Sequence, residues 1–418
     1  MKNSAFTIVA KNYIGLAKIL RESFLRHNPQ EDFFIFVADE FDGQDDVIVS
    51  KKVLSISRDK WQEMSFKYDI TEFCTSIKPF CLDYLFREKE YEKVIYLDPD
   101  IYLFGSFESI YNQLGSHSFY LIPHLVLPDD SYDGDRVYLQ SGIYNLGFIG
   151  MRKSENSLSF ISWWKNKLLD NCFDDLMSYT FTDQKWANYI PSFYPQDVYI
   201  STHLGMNVAP WNFHERSFEL DNESIYVKSR KGLSNSKDPL AFVHYSGFNY
   251  KGMLTGTVVR NRRGGYEKYD DLYVILDVYE KALIQSKEVF LQYIDLPYSY
   301  GTYSNGEKID KFHRRMYRKL VLAGNEIGNP FDAYNSFFYK KVAKLGMITK
   351  ESVNRMDVGD VKQIDSKLSM VCSTMKIVYK LIGYKRYLQL LKFLKYFSRS
   401  ESQAYLLDNK MKKHILSV

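Results

Sequence analysis

Cysteine is scarce in this sequence, and long apolar runs are missing from it. The 418 residues include four cysteines, and no two of them have the Cys-x-x-Cys spacing of zinc knuckles and redox sites. So few cysteines in so long a chain exclude a disulfide-stapled scaffold. No stretch approaches the about 20 uninterrupted apolar residues of a membrane-spanning helix. The N-terminal run SAFTIVA is too short for the core of a signal peptide, so we expect a cytoplasmic protein.

An excess of charge of one sign is also missing, as are internal repeats and low-complexity tracts. The formal net charge is +4, with 25% charged and 45% hydrophobic residues, as in ordinary globular proteins. This balance excludes wholesale disorder. It gives no global sign of a nucleic-acid partner, and we expect none because the chain carries no recognised nucleic-acid-binding motif. Its length predicts two to three domains.

Aromatic residues, in contrast, are abundant. The chain has 34 Tyr, 29 Phe and 5 Trp, which make up 16% of it. Tyrosine and tryptophan can line sugar or base sites. Segments such as FFIFV and ISWW have the pattern of core strands and helices, so most of the aromatic excess is expected to fill the interior.

Short apolar strands alternate with helical patterns up to about residue 103. Strands are predicted at FTIVA, FFIFVA and KVIYLD, and helices between them, including one over residues 71–87. This alternation is typical of βαβ units and predicts an α/β fold with a mostly parallel, Rossmann-like sheet flanked by helices. The pattern changes near residues 256–270, where a helix over 271–295 and a basic, largely helical tail follow. We therefore predict one domain at 1–255 and a mainly helical region at 256–418.

The most specific local pattern is YLDPDIYLF at residues 96–104. Asp98 and Asp100 are two residues apart after a buried strand, so in extended chain their side chains project to the same side. Pro99 favours extended geometry at the preceding residue and ends strand pairing there. Ligands of α/β sheets bind beyond the carboxyl ends of strands, and two carboxylates there suit Mg²⁺ or Mn²⁺ with bound phosphates. A solvated turn with two incidental acids is the alternative.

Five further segments agree with this motif in their order along the chain. They are AKNY at 10–13, SIKPFCLDYLF at 76–86, YNLGFIGMR at 144–152, TDQKWAN at 182–188 and FVHYSG at 242–247. Together with the DxD motif they resemble GT-A-fold glycosyltransferases, especially the retaining, metal-dependent group of glycogenin and the bacterial lipopolysaccharide galactosyltransferases. The resemblance covers roughly residues 5–252 and implies that residues 1–255 form a GT-A nucleotide-sugar-binding catalytic domain.

The resemblance also implies roles for the matching residues. It makes Asp98, Asp100 and His244 the ligands of Mn²⁺ or Mg²⁺. It assigns the nucleotide-sugar donor to Ala10, Asn12, Tyr13, Lys78, Asp98, Asn145, Gly247 and Lys251. The group often has a lysine three residues after the glycine of its HxxG segment, whereas Lys251 stands four residues after Gly247.

Asp183 and Gln184 are the catalytic residues that the resemblance implies, next to the reacting sugar. A carboxamide is a poor nucleophile, so we expect Gln184 to stabilise positive charge on the anomeric carbon. Asp183 could instead be an acid that the first turn of a helix favours. Neutral imidazole is a good third ligand beside two carboxylates, although a lone histidine such as His244 is more often a core residue.

The segment NVAPWNFHER at 207–216 combines aromatic and polar side chains in a short irregular stretch. Such a combination suits an acceptor pocket. The candidate acceptor-binding residues are Trp211, Asn212, His214 and Arg216. A structural loop held by an ion pair of Arg216 is the alternative.

The tail over residues 376–413 is strongly basic and has helical periodicity. One side of the helical wheel carries Tyr387, Leu390, Leu391, Leu394 and Phe397. The other side carries Lys385, Lys392, Lys395 and Arg399. A basic amphipathic helix can lie on an anionic membrane surface, or it can pack its apolar side on the catalytic domain and leave the basic side in water.

These observations predict a cytoplasmic glycosyltransferase of the hexosyltransferase type, peripheral at the inner face of the plasma membrane if the tail binds lipid. It would move a sugar from a nucleotide-sugar, first of all a UDP-sugar, to a saccharide or polyprenyl-linked acceptor in bacterial surface polysaccharide synthesis, with retention. A sugar-nucleotide pyrophosphorylase should carry a Gly-rich basic N-terminal loop, which AKNYIGLAKIL is not. A non-catalytic, membrane-associated binding protein is the other alternative, against which the intact DxD, DQ and HxxG motifs argue.

Overall fold

The computed structural model describes residues 2–43, 46–131, 133–222, 224–255, 269–348 and 364–415. They fall into two compact units, Met1–Ile56 with Ile70–Tyr298 and Ser57–Asp69 with Ser299–Val418. The second unit is therefore built from two separate stretches of sequence. The predicted boundary after residue 255 coincides with residues 256–268, which lie outside the described residues, and it stays a prediction.

Within the described ranges, the strands all lie in the first unit. They are β1 Asn3–Val9, β2 Asp32–Val37, β3 Ile48–Val49, β4 Lys93–Leu97, β5 Ile101–Leu103, β6 Phe119–Leu121, β7 Phe148–Arg152, β8 Asp174–Asp175, β9 Thr180–Phe181, β10 Val198–Ile200, β11 Arg216–Asp221, β12 Ser224–Ser229, β13 Lys237–Pro239 and β14 Phe242–His244.

Helices flank the strands in the first unit, and the described part of the second unit is helical. They are α1 Ile14–His27, α2 Ser50–Val53, α3 Arg58–Lys67, α4 Ile70–Ser76, α5 Lys78–Arg87, α6 Glu108–Gln113, α7 Arg136–Ser141, α8 Glu155–Leu168, α9 Ile190–Phe193, α10 Tyr250–Met253, α11 Tyr273–Gln285, α12 Lys287–Tyr293, α13 Lys311–Leu322, α14 Phe337–Lys344 and α15 Ile364–Phe397. Short 3-10 segments include Lys11–Tyr13, Gln184–Tyr189, Glu401–Leu406 and Asn409–His414.

The central sheet has the strand order β10-β6-β7-β4-β1-β2-β3. β1 pairs in parallel with both β2 and β4, whereas β7 runs antiparallel between β4 and β6. β4 is buried along its whole length, as expected of a parallel strand covered on both faces. The predicted mostly parallel α/β sheet with flanking helices is confirmed, and the architecture is consistent with a GT-A-like fold.

Two of the predicted helices are interrupted. The helix predicted over 71–87 is the pair α4 and α5, and α5 carries Pro79 in its first turn, where the missing N–H costs no hydrogen bond. The helix predicted over 271–295 is the pair α11 and α12, with a break at Ser286. Residue periodicity continues through both breaks, which is why it does not reveal them.

The second unit has its own apolar core. The ring of Phe66 from α3 contacts four aromatic rings, those of Tyr303, Tyr317, Phe331 and Phe338. Ala404, Leu407 and Met411 from the C-terminal 3-10 segments join this core. α15 differs from the rest, because none of its residues is buried and its helical geometry breaks at Gly383, which has φ 76°. Within the described residues, no helix has the length and apolar character needed to cross a membrane.

Candidate functional site

Asp98, Asp100 and His244 converge at the carboxyl end of β4. One atom from each lies within 4.8 Å of the other two. His244 Nε2 is 3.0 Å from Asp100 Oδ1 and 3.6 Å from Asp98 Oδ2. The imidazole is 4% exposed, and the carboxylates of Asp98 and Asp100 are 30% and 17% exposed. The three predicted metal ligands thus form one partly open cluster.

Backbone pairing brings these side chains together. β5 pairs antiparallel with β14, and the register places His244 opposite Ile101, the residue after Asp100. The amide of Tyr245 donates to the carbonyl oxygen of Asp100 at 2.8 Å, and the amide of Asp98 donates to the carbonyl oxygen of Gly147 at 2.8 Å. The turn that carries both aspartates is therefore held from two sides, by β14 and by the segment before β7.

Asn145 determines which nitrogen of His244 faces the carboxylates. His244 Nδ1 is 3.3 Å from Asn145 Oδ1, and Asn145 Nδ2 is 3.3 Å from His124 Nε2. His124 Nδ1 in turn lies 3.0 Å from the carbonyl oxygen of Ile143. These contacts assign the Nδ1–H tautomer to both rings, so that His244 Nε2 keeps its lone pair for a cation.

The members of the cluster shift one another's pKa values. Burial raises the pKa of Asp98. At Asp100 the effect of burial is outweighed by the neighbouring His244, and the pKa is lowered. Burial alone would lower the pKa of His244, but Asp100 and Asp98 raise it overall. Two carboxylates this close favour a bound positive charge, which a proton on His244 or a divalent cation can supply.

Gly147 of the predicted N-x-G segment leaves room for His244. A Cβ atom at Gly147 would lie 2.5 Å from His244 Cε1, 2.7 Å from His244 Nδ1 and 2.8 Å from Asn145 Oδ1. Contacts this short cannot be tolerated without moving the imidazole or the amide. The glycine is therefore required by close packing of the site.

Lys78 forms a buried ion pair with Asp183. The two charged atoms are 2.5 Å apart, and both side chains are almost fully buried. Lys78 Nζ also donates to the carbonyl oxygen of Leu146 at 2.8 Å and lies 3.9 Å from the centre of the Tyr96 ring. A buried pair of this kind is costly to break by removing one partner. The ion pair joins the DQ segment to α5, and Lys78 also contacts Tyr96 on the strand that leads to Asp98.

Gln184, the second residue of the DQ pair, reaches Asn145. Its Nε2 donates to the carbonyl oxygen of Ser141 at 3.0 Å. Its Oε1 accepts from the amide of Leu146 at 3.1 Å and from Asn145 Nδ2 at 3.4 Å. The side chain is buried, and the structure places the predicted catalytic amide in direct contact with the residue that orients His244.

The predicted nucleotide loop follows β1, whose carboxyl end lies next to that of β4 because the two strands pair in parallel. Ala10 is buried, and its carbonyl oxygen accepts from the amide of Tyr13 at 2.9 Å. Asn12 Oδ1 is buried, and no group in the described ranges forms a hydrogen bond with it. The Tyr13 ring lies edge-on to that of Tyr250, 6.4 Å away, and Tyr250 contacts Asp100.

Gly247 and Lys251 lie beyond β14. Gly247 has φ 77° and open space where a Cβ would stand, so its role is to make a tight turn. The exposed Lys251 forms an ion pair with Asp295. This lysine is therefore engaged on the surface and not in the cluster, in keeping with its one-residue offset from the family position.

The predicted acceptor segment divides into two kinds of residue. Trp211 contacts the cluster directly, with its ring 5.1 Å from that of His244 and nearly perpendicular to it. The half-buried His214 lies further along the same loop. Asn212 and Arg216 are fully buried. Asn212 bonds to backbone groups of the loop, and Arg216 pairs with Glu215 and donates to the Met206 carbonyl oxygen.

Sequence reasoning missed two residues that contact the cluster and a third that reaches it through Asn145. Tyr96 donates to Asp98, Tyr250 donates to Asp100, and His124 reaches His244 through Asn145. Burial, followed by the charge of Asp98, raises the pKa of Tyr96 well above its usual value, so the phenol stays protonated. The position of Tyr96 two residues before Asp98 on a strand could have indicated it; Tyr250 and His124 have no local signal.

No family model matches the chain. Two curated proteins of Bacillus subtilis (strain 168) are similar to part of it. Uncharacterized protein YfnF is 26% identical over 185 residues, which are 43% of this chain and 58% of that protein. Uncharacterized protein YfnD is 23% identical over 180 residues, 42% of this chain and 54% of that protein. The chain thus spans a little over half the length of these curated relatives.

Solved structures with a related chain path include two glycosyltransferases. The galactosyltransferase LgtC in complex with donor and acceptor sugar analogs is 14% identical, with a TM-score of 0.37, and the match covers 70% of this chain and 97% of that one. The glycosyltransferase GlyE of Streptococcus pneumoniae TIGR4 is 15% identical, with a TM-score of 0.36, and the match covers 72% of this chain and 66% of that one.

Proposed function

We propose that this chain is a metal-dependent glycosyltransferase that takes a sugar from a nucleotide-sugar donor, first of all a UDP-sugar. The observation that carries the proposal is the convergence of Asp98, Asp100 and His244 at the carboxyl end of β4. The order of the motifs along the chain supports the same conclusion. We further propose a saccharide or polyprenyl-linked acceptor and a place in bacterial surface polysaccharide synthesis.

The donor atoms of the cluster fit a divalent cation. Two carboxylate oxygens and an imidazole nitrogen suit Mn²⁺ or Mg²⁺, and the Nδ1–H of His244 is already engaged by Asn145. When bound, such a cation would offset the negative charge of the diphosphate leaving group. Asp98, Asp100 and His244 would hold it.

The nucleotide would lie over the adjacent carboxyl ends of β1 and β4. The unsatisfied Oδ1 of Asn12 could accept a hydrogen bond from the base or the ribose. Ala10 and Tyr13 are the other proposed contacts in that loop. Lys78 is close by, but its charge is matched by Asp183. Lys78 would bind the donor phosphates only by bonding to them and to Asp183 at the same time.

Gln184 and Asp183 are the proposed catalytic residues next to the transferred sugar. The Oε1 of Gln184 is held by two donors, which orients an oxygen that can stabilise positive charge on the anomeric carbon. Asp183 is paired with Lys78 and would hold the DQ segment in place beside the transferred sugar. Retention of configuration is the stereochemistry that we propose, following the group that the motifs resemble.

The acceptor would approach along the 207–216 loop. Trp211 contacts His244 and carries an indole N–H that is buried without a partner among the described residues, so it can stack on a sugar and bond to it. The half-buried His214 is the second candidate. Asn212 and Arg216 would act by holding the loop, since Asn212 bonds to loop backbone groups and Arg216 Nη1 donates to the Met206 carbonyl oxygen just before the loop.

We also propose that α15 binds an anionic membrane surface, which would make the enzyme peripheral at the inner face of the plasma membrane. Residues 366–400 contain eight Lys or Arg and no Asp or Glu. None of α15 is buried. Leu381 and Tyr384, on either side of the Gly383 break, are 79% and 67% exposed. Exposed apolar side chains can contact the acyl chains, and the cations on either side can bind the anionic head groups.

The decisive experiment is a panel of nucleotide-sugars with Mn²⁺, in which nucleotide release and thermal stabilisation are measured. At least one donor should stabilise the protein and be turned over. Asp100→Asn should lower turnover at least 100-fold, because the amide removes a charged ligand. Asp277→Asn, the same change at an exposed pair with Lys281 on α11, should keep the wild-type rate. The proposal fails if no donor binds, or if Asp100→Asn is as active as the wild type.

A further inference from the structure

Two buried tyrosines each place a hydroxyl on one carboxylate of the cluster. The hydroxyl of Tyr96 donates to Asp98 Oδ1 at 2.6 Å. The hydroxyl of Tyr250 lies 3.1 Å from Asp100 Oδ2. Both tyrosines are buried, and they come from different elements, β4 and α10.

The tyrosines occupy one oxygen of each carboxylate and leave the other facing His244. Asp98 Oδ2 and Asp100 Oδ1 are the oxygens that approach His244 Nε2, at 3.6 and 3.0 Å. An ionised carboxylate only accepts hydrogen bonds, and a phenol can donate one. Each hydroxyl therefore limits rotation of the carboxylate and determines which oxygen points into the cluster.

We propose that Tyr96 and Tyr250 are positioning residues that present one oxygen of Asp98 and one of Asp100 to the cation. This inference rests on the proposed metal-dependent function. Hydrogen-bond partners behind metal ligands orient them and strengthen binding. With Asn145 behind His244, all three ligands then have such a partner.

The two tyrosines should not contribute equally. Tyr96 has Asp98 as its acceptor, whereas the Tyr250 hydroxyl also lies 2.9 Å from the carbonyl oxygen of Tyr245. A phenol has one proton, so Tyr250 shares it between a carboxylate and a carbonyl. Loss of the Tyr96 hydroxyl is expected to weaken metal binding more than loss of the Tyr250 hydroxyl.

Tyr250 also occupies a position at which this chain differs from the group that the motifs resemble. It is the third residue after Gly247, where the resembled group often has a lysine. In this chain the position supplies a phenol to a metal ligand, and the next residue, Lys251, pairs with Asp295 on the surface. The lysine is thus displaced by one residue, and a tyrosine that contacts Asp100 stands where the group often has its lysine.

The test is titration calorimetry of Mn²⁺ binding, without and with UDP, on the wild type and on Tyr96→Phe and Tyr250→Phe. We expect the Mn²⁺ Kd to rise about 10- to 100-fold in Tyr96→Phe and less in Tyr250→Phe. Tyr111→Phe is the matched control, since Tyr111 is buried and its hydroxyl has no partner in the described ranges. The control should bind Mn²⁺ as the wild type does.

Two further results separate this inference from the function on which it rests. If the wild type binds Mn²⁺ and both phenylalanine variants bind it equally well, the positioning role is wrong and the metal site stands. If the wild type binds no Mn²⁺ with or without UDP, both are wrong. Metal-free melting temperatures within a few degrees of the wild type would show that the variants are folded, and Tyr250→Phe decides the matter if Tyr96→Phe does not fold.

Discussion

Asn145 connects the two buried histidines of the site. Its amide oxygen faces His244 Nδ1, and its amide nitrogen faces His124 Nε2. An amide can serve both contacts only if His244 donates and His124 accepts, so the protonation state of one ring depends on the other through a single side chain. The predicted role of Asn145 is contact with the donor; in the structure its amide orients His244.

This network predicts a pH dependence of stability that originates at His124. Burial lowers the pKa of His124 from 6.5 to about 4. Between these values the unfolded chain binds a proton that the folded protein does not, so stability falls as the pH falls from about 6.5 to about 4. The loss should total about 3 kcal/mol. Urea unfolding at several pH values should show it, and His124→Gln should reduce the slope; an unchanged slope would assign it to other groups.

At the scale of elements, a short strand pair outside the central sheet positions the third side chain of the cluster. The central sheet brings the ends of β1 and β4 together, but His244 lies on β14, which pairs with β5 in a separate two-stranded sheet. The register of three residue pairs places His244 next to the aspartates. A shift of one residue would turn its side chain to the opposite face.

The cations of α15 are expected to bind anionic lipid. Lys385→Glu with Arg386→Glu should weaken binding to phosphatidylglycerol vesicles at least tenfold, because each cation near an anionic surface contributes about 1 kcal/mol. Leu381→Asp should also weaken binding. Lys281→Glu, a charge reversal at an exposed lysine of α11, should not. Flotation with phosphatidylglycerol or phosphatidylcholine vesicles measures this, and equal binding to both lipids would contradict it.

Substitutions are preferable to a C-terminal deletion here. Ala404, Leu407 and Met411 follow α15 and belong to the core of the second unit. Removing them would expose that core, and any loss of lipid binding would then be uninterpretable.

At the scale of the whole molecule, the second unit depends on a distant piece of sequence. Arg314 on α13 is buried, and its guanidinium donates to the carbonyl oxygens of Phe66 and Tyr68 at 2.7 and 2.8 Å and to that of Tyr300 at 2.7 Å. One side chain therefore joins the inserted segment 57–69 to the chain after residue 299.

Arg314→Lys is expected to destabilise the second unit by about 3 kcal/mol, because a lysine cannot reach all of these carbonyl groups and leaves buried acceptors unsatisfied. Amide hydrogen exchange across 57–69 should accelerate, and the melting temperature should fall. Arg87→Lys, at an exposed pair on α5, should change neither. Equal protection of 57–69 in the wild type and in Arg314→Lys would refute this role.

Local patterns were sufficient for β1, β2 and β4, for the DxD turn at the end of β4 and for the order of the motifs. They rest on short-range physics, namely burial of apolar strands, the geometry of Pro99 and the spacing of Asp98 and Asp100. The same patterns could not show that Lys78 and Asp183 pair, or that Asn212 and Arg216 are buried. The first outcome depends on two residues 105 positions apart becoming neighbours, and the second depends on how the loop packs in the fold.

Residue types and their spacing therefore specified an α/β sheet and a set of chemically suitable side chains. The tertiary structure decided how those side chains are used. The pairing of β14 with β5 brought His244 to the aspartates, and the packing of Tyr96 and Tyr250 selected the oxygens that face it. Hydrogen bonds act only over about 3 Å, so their partners are chosen by the fold and cannot be read from neighbouring positions in the chain.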